Sequence, residues 1–165
     1  MLWCEKVHFV NETVTNKYFV TPFYGWCDIG YFREETTPNL NVFTRWPNPL
    51  KLLSLTKGIH YACIENNPTN FKSLIAEIQT NPGSKTNLLK NCFAGGFFIV
   101  RPKLIHAFST IFDSKLQYYF DNKFAVKDDQ TILLDCIANN PRLFSLHWEQ
   151  DPRYNNWFMF QRLLL

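Results

Sequence analysis

Glycine is scarce in this chain, at six residues of 165. No segment repeats or falls to low complexity, so collagen-like and repeat architectures are excluded. No apolar run approaches the roughly 20 residues that span a bilayer. The longest apolar stretches, such as Phe93 to Val100, are strand-sized. The opening residues, MLWCEKVHF, carry Glu5 and Lys6 where a signal peptide keeps an unbroken apolar region. The five cysteines, Cys4, Cys27, Cys63, Cys92 and Cys136, are odd in number and form no C-x-x-C pair. That argues against a zinc site or a disulfide framework and for free thiols in a reducing compartment. The 17 basic and 14 acidic residues leave a net charge of only +3, and they are scattered. Such a balance makes no nucleic-acid surface. G-x-S-x-G, Walker A and H-E-x-x-H motifs are all missing. These absences predict a cytoplasmic chain with no membrane span and no nucleic-acid partner.

What is present suits a single globular domain over residues 1–165. Hydrophobic residues make up 46%, charged residues 19% and aromatics a heavy 17%. Leu2 to Asn16 shows helical spacing through Leu2, Trp3, Val7, Val10 and Val14. A strand ends at Trp26-Cys27, followed by Asp28 and a turn at Gly30. Residues 33–49, rich in Pro and Asn, read as one long loop. Ile59 to Ile64 predicts a strand and Asn70 to Gln79 a helix closed by Asn81-Pro82-Gly83. Cys92 to Val100 reads as a strand with Gly95-Gly96 inside it. Pro102 opens a helix with Leu104, Phe108, Ile111 and Phe112 as its buried stripe. Asp128-Asp129 precede a helix over Gln130 to Ala138, stopped by Asn139-Asn140-Pro141, and Leu143 to Trp148 forms a last strand. Helices and strands interleave, which predicts an α/β layer fold with a parallel or mixed sheet.

Three places put polar or glycine residues at strand or helix ends, where α/β sheets bind ligands. In the first, Trp26 to Arg33, Asp28 either offers a hard oxygen to Mg²⁺ or Mn²⁺ or makes an Asx-turn before Gly30. Arg33 there either clamps a phosphate or is solvated. In the second, Asn91 to Phe98, Gly95 and Gly96 either admit a sugar or backbone closely or form a bulge. In the third, Lys127 to Gln130, Asp128 and Asp129 either place a carboxylate in the cleft or only cap a helix. Of His8, His60, His106 and His147, only His147, at the end of the last strand, is placed to complete a metal site.

The order W-x-D-x-G, then N-x-F-A-G-G-F-F-I-x-R, then D-D-Q with a following helix and N-N-P-x-L-F resembles the HtrL/YibB family. It is similar, more broadly, to the GT-A theme of glycogenin-like sugar-nucleotide transferases. The resemblance runs from about Leu2 to Trp148. It implies a GT-A-like (Rossmann-like) mixed sheet flanked by helices, and a glycosyltransferase using a nucleotide-sugar donor with Mn²⁺ or Mg²⁺. Asp28, with His147, would hold the metal. Trp26, Arg33, Gly95, Gly96 and Gln130 would contact donor or acceptor. Asp128 and Asp129 would sit at the transferred sugar, one as base or electrostatic stabiliser.

The sequence departs from that pattern at two points. Gly30 stands where a second aspartate of Asp-x-Asp is usual. Only 27 residues precede Asp28, where GT-A enzymes carry a strand–helix–strand unit. The expectation is therefore an N-terminally truncated version of the fold, prone to self-association or to pairing with a missing segment. The expected activity is transfer of a sugar from a nucleotide-diphosphate donor to a glycan or other hydroxyl acceptor. The alternatives are a non-catalytic remnant that keeps the fold as an interaction protein, and, third, a metal-dependent hydrolase.

Overall fold

A computed structural model describes residues 2–33, 40–55, 57–84 and 92–165. Residues 34–39 of the expected loop and Asn91 of the second motif lie outside the described residues.

The chain opens with a 3-10 turn, Leu2–Glu5, that runs into helix α1, Lys6–Thr15. Strand β1, Tyr24–Cys27, follows. Helix α2 covers Pro49–Ser54. Asn48 caps it by accepting from the Leu50 N–H, and Pro49 takes the first-turn position where a missing N–H costs nothing. This helix begins at the last residue of the stretch whose prolines and asparagines predict only loop, and a 3-10 turn, Leu40–Phe43, lies inside that stretch. Strand β2, Ile59–Cys63, is buried throughout. Helix α3, Pro68–Thr80, begins at the Asn67 cap, which accepts from Thr69 and Asn70. Strand β3 is Phe97–Val100, and helix α4 is Pro102–Asp121. Helix α5, Asp129–Asn139, starts at the Asp128 cap, and strand β4 is Phe144–Trp148. A short turn at Asn156–Phe158 leads into helix α6, Met159–Leu163.

The sheet has the order β1-β3-β2-β4 and is mixed. β3 runs antiparallel to both β1 and β2, and β4 runs parallel to β2. The carboxyl ends of β1, β2 and β4 therefore share one edge with the amino end of β3. Gly25 is the residue that lets β1 and β3 pair this closely. A Cβ there would stand 2.2 Å from the Phe98 carbonyl oxygen, a backbone atom that cannot swing aside.

Two cores sandwich the sheet, and strand alternation decides which residue enters which. Phe98 and Val100 of β3, with Ile59 and Tyr61 of β2, face the core beneath α1, α3, α4 and α5. Phe97, Ile99 and Ala62 face the opposite core, which Phe160 and Leu164 fill from the C-terminal segment. On α4 the fully buried stripe is Ile105, Phe108, Phe112 and Tyr119. The expected Leu104 and Ile111 pack at its margin.

Cys92 to Val100 is not one strand. Residues 92–94 pair with the end of β2, through Ile64 N–H to the Cys92 carbonyl (2.7 Å) and Ala94 N–H to the Ala62 carbonyl (2.9 Å). Gly95 and Gly96 then form a turn, and pairing with β1 begins only at Phe97. Both stretches lie antiparallel to β2, Phe93 opposite Cys63 and Ile99 opposite His60, so the glycine turn is a large bulge within one pairing, and β1 joins only at Phe97.

Candidate functional site

The carboxyl edge of the sheet collects the polar motifs. Asp28 leaves β1 directly and is tied to the glycine turn by its N–H, which donates to the Gly96 carbonyl at 2.8 Å. The turn after it closes backbone to backbone, Tyr31 N–H to the Asp28 carbonyl at 2.9 Å. The Asp28 carboxylate therefore makes no Asx-turn and points elsewhere. Its Oδ1 accepts from the Trp26 indole, and its Oδ2 lies 3.3 Å from Lys6 Nζ.

Lys6 is the centre of the cluster. It is the first residue of α1, and its side chain is only 8% exposed. Its ammonium donates to the Gly95 carbonyl at 2.8 Å and bridges Asp28 Oδ2 and Asp129 Oδ2, each at 3.3 Å. A buried charge is tolerable only when paired and hydrogen-bonded in this way. Lys6 belongs to none of the three motifs, yet its place in the helix carries a signal. Lys6 stands four residues before Val10 and eight before Val14, in phase with the helix's apolar stripe. A lysine on the core-facing side needs a buried anion, and two carboxylates meet it.

Helix α5 brings the second carboxylate. Asp128 caps the helix, its Oδ1 accepting from the Thr131 N–H at 3.2 Å, while Lys127 Nζ lies 3.9 Å from its Oδ2. Asp129, one residue on, turns inward and is 15% exposed. Burial raises the Asp129 pKa to about 6; Lys6 opposes this, and the Asp128 and Asp28 charges add to it. Desolvation wins because the carboxylate lies mostly out of water. A carboxyl that titrates near neutral pH can take up and release a proton there.

A cavity of about 290 Å³ opens over these groups, with Lys6, Asp28, Gly95, Asp129, Gln130 and Trp157 among its walls. Both glycines of the turn are crowded. A Cβ on Gly95 would stand 3.2 Å from Gln130 Cγ, and one on Gly96 3.2 Å from the Trp157 indole nitrogen. The buried Gln130 Oε1 has no hydrogen-bond partner, a feature that in native proteins calls for a reason. Trp3, read only as part of the apolar stripe, and Lys127, the first residue of the third motif, line the cavity as well, while nothing in the sequence points to Trp157. It arrives from 61 residues beyond Gly96, by folding alone.

Two expected site residues lie elsewhere. Arg33 donates through Nε to the Gly30 carbonyl at 2.7 Å, and its guanidinium lies 5.7 Å from the Phe158 ring. It does not line this cavity. His147 does not join Asp28. It sits on β4, at the opposite end of the sheet order from β1. Its Nε2 is 2.9 Å from His60 Nδ1, and its ring packs edge-on against Phe160. A residue next to the end of a strand still projects from the sheet face, here into the second core, rather than off the edge. Trp26 backs the site: its indole holds Asp28 while its ring stacks on Phe9.

The family model described as "Bacterial protein of unknown function (HtrL_YibB)" matches residues 1–164, and the chain belongs to that family. No curated protein and no solved structure matches it. Among the described residues no helix is long and apolar enough to cross a membrane.

Proposed function

We propose that this member of the HtrL_YibB family transfers a sugar from a nucleoside-diphosphate donor to a hydroxyl acceptor, on a GT-A-like form of the mixed sheet. The observation that carries the reading is the cluster of Lys6, Asp28, Asp129 and the Gly95 carbonyl, set under a cavity at the carboxyl edge of the sheet. That edge is where α/β sheets bind nucleotides.

In this reading Lys6, Lys127 and the amino end of α5 face the diphosphate with positive charge. The glycine turn lets the donor sugar approach the backbone. Asp28, anchored by Trp26 and Lys6, hydrogen-bonds hydroxyls of the donor. The acceptor oxygen forms its bond to the anomeric carbon as the bond from that carbon to the phosphate oxygen breaks. The electron pair leaves with the diphosphate, and the acceptor proton passes to the Asp129 carboxylate. Lys6 stabilises the negative charge that develops on the leaving group.

The resemblance implies Mn²⁺ or Mg²⁺ at Asp28. Such ions take hard oxygen ligands, at about 2.0–2.1 Å for Mg²⁺. Asp28 Oδ2, Asp129 Oδ2 and the Gly95 oxygen do converge, but they converge on the Lys6 ammonium. Among the described residues no group of three His, Cys, Asp or Glu is arranged to hold a metal. With Lys6 in place the pair of carboxylates does not fit a divalent ion, and no step is routed through one.

Calorimetry with a panel of nucleoside-diphosphate sugars, in EDTA and then in Mn²⁺, tests the reading. The expected outcome is binding of at least one donor in EDTA, weakened tenfold or more by Lys6→Ala. Asp129→Asn should keep that binding and lose turnover about 100-fold or more, the scale of a lost general base. A chain that binds no donor in either buffer sinks the transferase reading. Binding that requires Mn²⁺ sinks only the role given to Lys6.

A further inference from the structure

A second and larger cavity, of about 900 Å³, opens on the same edge of the sheet beyond β2 and β4. We infer that it is a carbohydrate site, and that it holds the glycan whose hydroxyl the small cleft glycosylates. The second half of this inference rests on the transferase reading.

The lining is aromatic on its faces and polar in between. Trp148, 36% exposed at the end of β4, forms one plate. Its indole donates to the Glu65 carbonyl at 3.1 Å, and its ring meets Phe71 at 5.8 Å, nearly perpendicular. The plate is therefore fixed on two sides. Tyr154, 45% exposed, offers a second ring, with the Arg162 guanidinium 3.8 Å from its centroid on one face, so a ligand would take the other. Asn66, Gln150 and Asn155 place amides beside these rings. Amphipathic rings with a few fixed polar groups suit a ligand that is apolar on its faces and hydroxylated at its rim. A pyranose has that character. One polar atom of each amide is already bonded, Gln150 Nε2 to the Trp148 carbonyl, Asn66 Oδ1 to Asn156 and Asn155 Oδ1 to the Trp157 N–H. A lipid chain would desolvate the other, at about 1–3 kcal/mol for each. A phosphate would meet, against the single cation among the described lining residues, Lys72, the carboxylates of Glu149 and Asp151. Their charges are set by neighbours, Arg162 on Glu149 and Arg153 on Asp151. The volume lies near the top of the range of about 300–1,000 Å³ for ligand pockets, with room for more than one sugar ring.

Continuity with the small cleft decides the occupant. Asn155 and Asn156 line the large cavity, and the next residue, Trp157, lines the small one. This strap is pinned. Asn155 accepts from the Trp157 N–H at 2.9 Å, and Asn156 Nδ2 donates to the Ile64 carbonyl at 3.2 Å and to Asn66 Oδ1 at 2.7 Å. Two cavities walled by consecutive residues of one fixed strap suit one reaction: the chain of the acceptor in the large cavity, its reacting end across Trp157 in the small one.

The test is a glycan microarray probed with the full chain in EDTA and without nucleotide, with hits titrated by saturation-transfer NMR. The expected result is saturable binding of at least one glycan. Tyr154→Ala, on the surface, should weaken it tenfold or more. Trp148→Phe, which keeps packing on Phe71, should weaken it by a smaller factor. Absence of binding across the array overturns the inference, and so does binding indifferent to both Tyr154→Ala and Trp148→Phe. Donor binding without glycan binding removes this cavity's role alone. Glycan binding by a chain that binds no donor removes the transferase reading and the acceptor role, and leaves the ligand class standing.

Discussion

Asp129 carries two opposed influences, burial against its ionised form and the Lys6 ammonium in favour of it. Burial dominates, and the pKa stands near 6 rather than at the ordinary value of about 3.9. A carboxyl raised on folding binds its proton more tightly in the native than in the unfolded chain. Between about pH 4 and pH 6 the native state then holds a proton that the unfolded state has lost. The contribution of Asp129 to stability is therefore fully present below about pH 4 and falls as pH rises through about 6. Urea unfolding of the wild type and Asp129→Asn at stepped pH reads it directly. The stability difference between the two should change steadily across that window, against the wild type as pH rises, and level off above it. A difference that stays constant with pH would show that the Asp129 carboxyl holds its proton equally in the folded and unfolded chain. The same residue explains why the site was only half legible. Asp28, Asp129 and Gly95 belong to motifs that can be read along the chain. Lys6 and Trp157 join them only after folding, because a buried cation and a remote indole leave no local pattern beyond an out-of-place lysine.

At the level of elements, legibility followed cap chemistry and period. Helix α4 was readable from Pro102 and its apolar spacing, and α5 from the aspartates ahead of it. Helix α2 was missed although Asn48-Pro49 is the same kind of start, because six residues are too few to show a period. The stretch from Cys92 to Val100 misled because apolar run length says nothing about pairing partner. Both halves pair with β2, only the second also pairs with β1, and the glycine turn between them shifts the register. The cap of α5 also allows structure and chemistry to be separated at Asp128. Replacing it with Ala should cost about 1 kcal/mol in a range of about 0.5–2, the usual worth of an N-cap. Asn caps as well as Asp does, so Asp128→Asn should melt with the wild type. If Asp128 also faces the donor through its charge, the Asn variant will lose or gain donor affinity with no loss of stability. Equal melting and equal affinity would confine Asp128 to its cap.

For the molecule as a whole, the sheet order places β1 at one border, paired on one side with β3 and, among the described residues, with no strand on the other. Helix α1 packs against that strand, Phe9 stacking on Trp26. Just ahead of it, Tyr18, Phe19 and Val20 are 63%, 66% and 99% exposed. Open strand edges with apolar neighbours are templates for pairing with another chain, and soluble proteins usually blunt them with charge or proline. Here no charged residue lies within Tyr24–Cys27. The aromatic excess visible in the composition is thus partly spent at a border rather than in the two cores. The chain is expected to self-associate through this border. Sedimentation velocity over a wide concentration range should show a reversible dimer or larger species. The double variant Phe19→Lys, Val20→Lys should shift it to monomer with an unchanged melting temperature, since neither side chain is buried. A wild type that stays monomeric throughout would mean that the border is closed by other means. Association that survives both lysines would move the contact away from β1. Because the proposed donor cleft lies at the carboxyl end of the same strand, donor binding measured on the monomeric variant also tells whether a second copy is needed to complete the site. Equal affinity in monomer and oligomer would make the cleft self-sufficient. Loss of affinity on monomerisation would make the paired border part of it.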